Sequence, residues 1–369
     1  MAKYEDKKWF LAVLGSVLGL GIILLAHYGN PGNMGLCTIC FLRDIAGSLG
    51  LHQAAVVQYF RPEIVGIVLG AFGMAVLGRR LNLRSGSSPA IRFALGLIMG
   101  VLGLVFLGCT LRMIIRMAAG DISGYVGFVG FILGSWVGIS FLRNGFDLGE
   151  GTIIRKGDTL VLPTIFLTLF ILFLIVPQMF IFSEEGPGSM HAPIILSLIV
   201  GLAFGAIGQR VNLCMSGSLR NILSIGDFTA AVPVLGMFFT LLIYNIISGN
   251  FAFTAYGPIA HAQHLWNILP MFGIGLASAL GGGCPVRQLI KAGSGNGDGL
   301  LTTLGIFVGV AMAHNFGLTS AGASEEAIGG PSAAGKIAVL VSLVVLFVIA
   351  FWGVAAKKNK EVVSAEQSV

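Results

Sequence analysis

Four of the five cysteines in this chain stand in short motifs that recur between its two halves. Cys37 and Cys214 each follow a leucine, and a leucine-arginine pair comes after each at the same spacing. Cys109 and Cys284 each follow a glycine and stand three residues before an arginine. A duplicated pattern of thiols with arginines indicates two similar half-molecules that face one site. The chemistry that this pattern favours is binding of a small anion with affinity for sulfur.

Thiols are weak hydrogen-bond donors and soft ligands, so they solvate a polarizable sulfur or selenium atom better than hydroxyls do. A thiol in apolar surroundings is a slow nucleophile. The motifs therefore favour a relay of hydrogen bonds over covalent transfer, which stays open as the second possibility. For any single cysteine, the role of a small buried apolar side chain also stays open.

Each motif also brings an arginine, three or six residues after its cysteine. A charge inside a membrane is costly and indicates function by default. We expect these arginines to attract an anion, assisted by the helix N-termini that follow each cysteine. The alternative is that they reach an interface, or that they pair with Asp44 or with loop carbonyls. The four arginines are Arg43, Arg112, Arg220 and Arg287.

A second set of candidates is weaker. Cys40 forms a C-x-x-C with Cys37, but Gly217 stands at the matching position of the second half, so Cys40 lies outside the repeated pattern. Asn33 and Asn212 precede motif cysteines, and His314 near the end of an apolar stretch is a candidate for proton coupling. The chain has neither a partner C-x-x-C nor clustered histidines, so we predict no metal site and no cofactor.

The composition predicts an integral membrane protein. Hydrophobic residues make up 56% of the 369 residues, charged residues only 10%, and the mean hydropathy is +0.91. Soluble proteins carry about 25% charged residues. Phosphate-binding loops and hydrolase motifs do not occur, so we predict neither an ATP-driven pump nor an enzyme. The predicted spans are 9–28, 63–79, 90–108, 124–142, 159–182, 193–209, 229–248, 268–283, 299–316 and 335–356.

The net charge of +6 reflects lysines and arginines at span ends, which set orientation, and predicts no nucleic-acid partner. We predict a multi-pass protein of the bacterial cytoplasmic (inner) membrane with both termini cytoplasmic. The opposite loops include 183–185 and 324–326 and carry few positive charges. The cytoplasmic positions are Lys3, Lys7, Lys8, Arg79, Arg80, Arg84, Arg92, Arg143, Arg155, Lys156, Lys357, Lys358 and Lys360.

Threading the spans through a bilayer predicts an inverted repeat. The segments after Cys37 and Cys109 would enter from one face, and those after Cys214 and Cys284 from the other. The expected fold is therefore an all-α membrane protein of about ten transmembrane helices and four short re-entrant half-helices. The predicted divisions are a first repeat at 1–150, a linking span at 151–190, a second repeat at 191–318, and a peripheral last span with a tail at 319–369.

Glycine is abundant, with 54 copies, and in membrane helices small residues let backbones approach closely. Two runs at helical spacing are predicted to form such seams. They are Gly66, Gly70 and Gly73, and Gly96, Gly100 and Gly103.

At these motifs the chain resembles the YeeE/YedE family of membrane transporters, closest to the YedE-type branch described as selenium transporters. The resemblance implies uptake of thiosulfate-like or selenium compounds, with Cys37, Cys109, Cys214 and Cys284 along the path. It runs through most of the chain, in GNPGNMGLCTICFLRDIAG from Gly29, VQYFRPEI from Val57, FLGCTLRM from Phe106, SEEGPGSMHAP from Ser183, QRVNLCMSGSLR from Gln209 and GGGCPVRQLIKAG from Gly281.

The predicted function is a permease that imports a small sulfur- or selenium-containing species through a path lined by thiols and arginines. Its expected partners are the lipid bilayer, the substrate and, in addition, a cytosolic sulfur or selenium carrier protein. One alternative is a membrane redox or sulfur-transfer protein that uses Cys37 and Cys40 and passes persulfide or selenide to such a carrier. A structural membrane subunit that serves a partner is another.

Overall fold

The computed structural model describes residues 7–149, 151–324 and 327–366, and this part of the chain is mostly helical with very little strand. The predictions on Lys3, Glu325 and Glu326 lie outside the described residues. The helices are α1 Lys8–His27, α2 Thr38–Ser48, α3 Pro62–Leu77, α4 Pro89–Phe106, α5 Thr110–Ala118, α6 Ile122–Arg143, α7 Val161–Ile175, α8 Gly186–Ser189, α9 Ile194–Arg210, α10 Met215–Ile225, α11 Val232–Ile247, α12 Leu265–Gly281, α13 Pro285–Gly293, α14 Gly297–Asn315 and α15 Ala333–Glu366.

Ten helical segments in the described residues are long and apolar enough to cross a bilayer, which confirms an all-α, multi-pass membrane protein. Three of these segments, Pro89–Ala118, Ile194–Ile225 and Leu265–Gly293, each consist of two helices joined across a short break. The predicted span 159–182 is too long, because α7 ends at Ile175 and the ring of Pro177 cannot continue the helix.

A short helix begins directly after each of the four motif cysteines. Helices α2, α5, α10 and α13 have 11, 9, 11 and 9 residues, and the cysteine is the N-cap residue each time. A residue with a left-handed backbone conformation stands shortly before each cysteine and turns the chain. The backbone N–H groups in the first turn of the helix that follows have no hydrogen-bond partner within that helix. The left-handed residues are Asn33, Leu107, Asn212 and Gly282, with φ of 55°, 60°, 52° and 73°.

The long helices pack as pairs drawn from the two halves of the chain. Helix α6 packs along α12, α4 along α14, α3 along α9 and α1 along α11, while α4 also contacts α12 at the centre. Helix α15 packs against α4, α6 and α12. Each of the four main pairs joins one helix that precedes α7 to one that follows it.

Glycines explain how closely these pairs approach. A Cβ at Gly70 of α3 would lie 2.1 Å from the carbonyl oxygen of Leu202 in α9, and one at Gly96 of α4 would lie 2.0 Å from that of Thr302 in α14. Only a residue without a side chain fits there. A Cβ at Gly73, in contrast, would meet nothing within 4 Å, so its predicted place in a seam is wrong.

Two small antiparallel pairs of strands connect loops at the helix ends. Strand β1 (Arg84–Ser85) pairs with β2 (Thr152–Ile153), and β3 (Ser320–Ala321) pairs with β4 (Gly330–Pro331). The first pair holds the loop between α3 and α4 against the segment before α7.

Candidate functional site

The first-half cysteines form a fully buried thiol cluster. Cys37 Sγ lies 3.5 Å from Cys109 Sγ, although the two residues are 72 positions apart in sequence. The backbone N–H of Cys40 donates to Cys37 Sγ at 3.4 Å, so this thiol caps α2. Cys37, Cys40 and Cys109 are each 0% exposed. The structure thus brings Cys40 beside the two motif cysteines, although Cys40 lies outside the repeated sequence pattern.

The second-half cysteines are placed in the same way. The N–H of Gly217 donates to Cys214 Sγ at 3.1 Å, so this thiol caps α10. Cys284, at the start of α13, is a close neighbour of Cys214, and its Sγ is 3.8 Å from Sδ of the adjacent Met215. The environment differs from the first half, because Cys214 is only partly buried.

Of the second-half thiols, Cys214 lines a cavity of about 320 Å³ with a cationic lining, whereas Cys284 is buried behind it. Arg287 donates to Asn212 Oδ1 at 2.9 Å and is held by this neutral amide. Arg220 is exposed and Lys291 half-buried, and in the described part of the chain neither side chain has a carboxylate partner. Because these three cations have no carboxylate partner among the described residues, an anion bound in this cavity would be stabilised by their charge. Its lining also includes Cys214, Ser216, Ser218, Asn221, Ser278 and Gly283.

A second cavity of about 460 Å³ adjoins the first and shares Asn212 and Arg287 with it. Its other walls come from the loop 80–84 between α3 and α4, from Ile153 and from Ser294. Together the two cavities form a polar vestibule on the face where the α3–α4 loop, the end of α9 and the break before α13 meet.

The first-half arginines do not line such a cavity. Arg112 donates to the carbonyl oxygens of Asn33 at 3.0 Å, Pro258 at 3.2 Å and Ile259 at 3.0 Å, and also to that of Leu107. Arg112 is 0% exposed, and backbone carbonyls occupy its guanidinium. The expectation that it attracts an anion directly therefore fails in this conformation, in which it ties the 248–264 loop over the thiol cluster.

Arg43 likewise has a partner within the protein. Its guanidinium donates to Asp44 Oδ1 at 2.6 Å, and Arg61 donates to Asp44 Oδ2 at 2.7 Å. The predicted alternative, pairing with Asp44, is the arrangement observed. Removing these charges from water is costly, and the shared carboxylate compensates for it. Arg43 therefore belongs to a buried ion-pair network rather than to an open vestibule.

Sequence reasoning missed two basic residues, Arg116 and Lys291. Arg116 donates to the carbonyl oxygens of Phe106 at 3.1 Å, Leu107 at 2.8 Å and Ile259 at 3.2 Å. A detectable signal was present, because Arg116 and Lys291 each stand seven residues after a motif cysteine. Arg116 closes the break around Cys109, whereas Lys291 lines the vestibule together with Cys214.

The side chain of His314 does not lie free in solvent, where it could carry protons. Its ring stacks on His52 with centroids 4.5 Å apart, and its Nε2 has no partner among the described residues. His52 is buried and its Nε2 lies 3.0 Å from the carbonyl oxygen of Arg43, and this burial lowers its pKa below the ordinary value. His314 thus lies beside the Arg43 network and does not line the cationic vestibule.

Another buried histidine, His261, holds the loop 248–264 from inside. Its Nε2 donates to the carbonyl oxygen of Val105 at 3.0 Å. Burial lowers its pKa from 6.5 to about 4, and the nearby charge of Arg116 acts in the same direction. The imidazole is therefore neutral at physiological pH and fixed in the tautomer that carries hydrogen on Nε2.

Comparison with protein-family models finds no match for this chain, and comparison with curated proteins finds none either. The resemblance to the YeeE/YedE family therefore stays an expectation that rests on the motifs.

Proposed function

We propose that this chain is a permease of the YeeE/YedE type that imports a small sulfur- or selenium-containing anion. The observation that carries the proposal is the occurrence of two thiol pairs in equivalent places. Cys37 pairs with Cys109 and Cys214 with Cys284, and every one of them caps or precedes a short helix. Soft sulfur atoms and helix N-termini together suit a polarizable anion.

The packing of the helices supports an inverted repeat. Suppose that α1–α6 of the first half correspond in order to α9–α14 of the second half. Exchange of the halves then turns the contact between α6 and α12 into the contact between α14 and α4. It likewise turns the contact between α3 and α9 into the contact between α11 and α1. All four contacts are present. The single span α7 between the two halves inverts the second half, as in transporters that bind substrate at the repeat interface. The short helices after the cysteines are then re-entrant elements from opposite faces.

The distribution of charge supports an orientation with both termini in the cytoplasm. Arg79, Arg80, Arg155 and Lys156 occupy loops on the side where the vestibule opens, and positive loops mark the cytoplasmic face. The vestibule with Cys214 and Arg287 then faces the cytoplasm. On the outer side, the 248–264 loop and the carbonyl contacts of Arg112 cover the other thiol pair. In this orientation Cys214 is accessible from inside and the first thiol pair is covered, although a cavity of about 650 Å³ beside Asn33 and Pro258 reaches the covering loop from outside.

The alternative of sulfur transfer to a cytosolic carrier receives less support from the geometry. It needs Cys37 and Cys40 within reach of a protein partner, but both are 0% exposed beneath the contacts of Arg112. Cys214, which lies in the vestibule, is the thiol that a cytosolic partner could reach. Trapping a covalent persulfide or selenide adduct on a cysteine by mass spectrometry would favour this alternative over the permease.

The direct test of the proposal is uptake by proteoliposomes that contain only this protein. Radiolabelled thiosulfate and selenite are supplied outside, and liposomes without protein give the background. We expect accumulation of at least one of the two above background, with competition between them. Uptake at the level of the empty liposomes for both anions would overturn the proposal.

A further inference from the structure

Residues 255–259, called the cover segment below, lie between two fixed points of the 248–264 loop. Before the segment, the N–H of Ala252 donates to the carbonyl oxygen of Ala119 at 3.1 Å. After it, Nε2 of the buried His261 lies 3.0 Å from the carbonyl oxygen of Val105. No backbone hydrogen bond joins the cover segment itself to another part of the described chain. The segment can therefore move without breaking a helix or a strand.

Two guanidinium groups hold the cover segment from the side of the thiols. Arg112 donates to the carbonyl oxygens of Pro258 at 3.2 Å and Ile259 at 3.0 Å, and Arg116 donates to that of Ile259 at 3.2 Å. Nη1 of Arg112 also lies 3.8 Å from Cys40 Sγ. One arginine side chain therefore spans the distance between the cover segment and the thiol cluster.

The other side of the cover segment borders the outer cavity of about 650 Å³. Gly257 and Pro258 line this cavity together with Asp121. The carboxylate of Asp121 lies 3.8 Å from Nε of Arg116, so it balances one of the two guanidinium charges and leaves the other in excess. An anion in the outer cavity is thus attracted toward Arg112 and Arg116 from across the cover segment.

The backbone of the cover segment is held in a conformation that its sequence does not favour. Ile259 has a φ of 54°, in the left-handed region that β-branched residues rarely adopt. Such a conformation persists where surrounding contacts impose it, and it is typical of segments that switch between two states. The contacts that impose it here include those of Arg112 and Arg116 with the Ile259 carbonyl oxygen.

The matched region of the second half has a different arrangement. In the repeat proposed above, Arg287 corresponds to Arg112, and the α3–α4 loop corresponds to the loop that contains the cover segment. Arg287 donates to the side chain of Asn212, and the cavity of about 460 Å³ is lined both by Arg287 and by residues 80–84 of that loop. Equivalent arginines therefore contact a loop in one half and border a cavity beside a loop in the other. A closed gate and an open gate would differ in this way.

We propose that the cover segment is the outer gate of the anion path. This inference rests on the proposed function. When the gate opens, the cover segment leaves Arg112 and Arg116, and an anion from the outer cavity reaches both guanidinium groups and then the thiol of Cys109. In the closed state the carbonyl oxygens of the segment accept from the same N–H donors that an oxyanion would use. Opening exchanges hydrogen bonds only, and no covalent bond of the protein changes.

A reversible disulfide across the closed gate tests the proposal. A Cβ at Gly32 would lie 3.8 Å from Cβ of Pro258, which is the ordinary separation in a disulfide. Gly32→Cys/Pro258→Cys is oxidised with copper phenanthroline, the oxidant is removed, and uptake of labelled thiosulfate by proteoliposomes is measured. We expect background uptake while the disulfide is present and recovery after reduction. Wild type and the two single variants, oxidised in the same way, are the matched controls and should keep their uptake.

A second measurement follows the access of reagents to Cys109 and Cys214, with mass spectrometry to locate the modified thiol. In right-side-out vesicles, a sulfonate-bearing methanethiosulfonate should modify Cys109 of the reduced double variant and not of the oxidised one. A trimethylammonium analogue should act about tenfold more slowly, after correction for its rate with a free thiol, because the open gate exposes two guanidinium groups. Modification of Cys214 in inside-out vesicles should be equal in both states, which distinguishes gate closure from misfolding.

The outcomes separate the gate from the permease. Uptake by the oxidised double variant at the rate of its reduced form, with the disulfide confirmed by mass spectrometry, would overturn the gate and leave the permease intact. Failure of the disulfide to form would contradict the closed contact between Gly32 and Pro258. Equal corrected rates of the two reagents at Cys109 would contradict the exposure of the arginines. Absence of uptake by wild type would overturn the permease and the gate together.

Discussion

Cys37 Sγ and Cys109 Sγ lie 3.5 Å apart at the starts of two short helices that come from separate segments of the chain. In the second half, Cys214 and Cys284 repeat the arrangement at the starts of α10 and α13. The pairs differ in surroundings. The first pair is covered by arginine–carbonyl contacts, whereas Cys214 of the second pair lines a cationic vestibule. This difference is what an alternating-access transporter of inverted repeats would show in one conformation.

Removal of the thiols at the two matched breaks should stop transport. We expect Cys109→Ala and Cys284→Ala each to reduce thiosulfate or selenite uptake to background, because each change removes a sulfur from the path while the fold persists. Cys40→Ala is the matched control, since Cys40 has no counterpart in the second half, and it should retain most of the activity. The measurement is uptake by proteoliposomes with equal amounts of folded protein. Wild-type rates in both alanine variants would remove the thiols from the mechanism.

The cations of the vestibule should set the affinity for the anion. Arg287→Gln and Lys291→Gln are each expected to raise KM about tenfold, equivalent to about 1.4 kcal/mol of lost binding. Lys156→Gln removes an exposed charge outside either cavity and should leave KM unchanged. The check is initial uptake rate against substrate concentration. A KM that shifts equally in all three variants would indicate only a general effect of surface charge.

Close approach of α3 and α9 should depend on Gly70 but not on Gly73 of the same helix. Gly70→Ala forces a Cβ against the backbone of Leu202 and should cost about 2 kcal/mol or more, lowering the yield of folded protein. Gly73→Ala meets open space and should be neutral or stabilise by up to about 1 kcal/mol through helix propensity. Thermal unfolding of the purified variants measures both. Equal midpoints for the two variants would contradict this account of the seam.

Acid should destabilise the protein through His261. Its folded pKa of about 4 lies below the ordinary 6.5, so the neutral form is favoured by folding. The contribution of His261 to the free energy of unfolding is complete above pH 6.5 and declines as the pH falls toward 4, by about 1 kcal/mol per pH unit at most. Below pH 4 it changes no further. His261→Gln should flatten that decline, whereas His27→Gln, at an exposed position, should leave it intact. Unfolding midpoints across this pH range provide the measurement, and an unchanged slope in His261→Gln would refute the assignment.

Hydropathy and the spacing of the cysteines were sufficient to predict the ten spans and the short helices after Cys37, Cys109, Cys214 and Cys284. Both signals are local, since span length and a helix start depend on consecutive residues. The extent of α7 was wrong because the apolar run continues past the point where Pro177 ends the helix.

The partners of the basic residues could not be predicted in the same way. Arg112 contacts carbonyls of Pro258 and Ile259, which are remote in sequence and carry no side-chain signal. The hydrogen bond from Ser197 to Glu63 was not predicted either, because the two residues belong to opposite halves of the chain. Such contacts follow from how α3 meets α9 and how the 248–264 loop folds back, and these depend on the whole assembly.

The position of bound selenium tests the central claim most directly. Diffraction from crystals grown with selenite, recorded at the selenium absorption edge, locates the atom by its anomalous signal. We predict a selenium site in hydrogen-bonding contact with the thiol of Cys214 or Cys284 and close to Arg287. Selenium found only at the lipid-facing surface or in the outer loops, with the vestibule lacking any anomalous signal, would contradict the account.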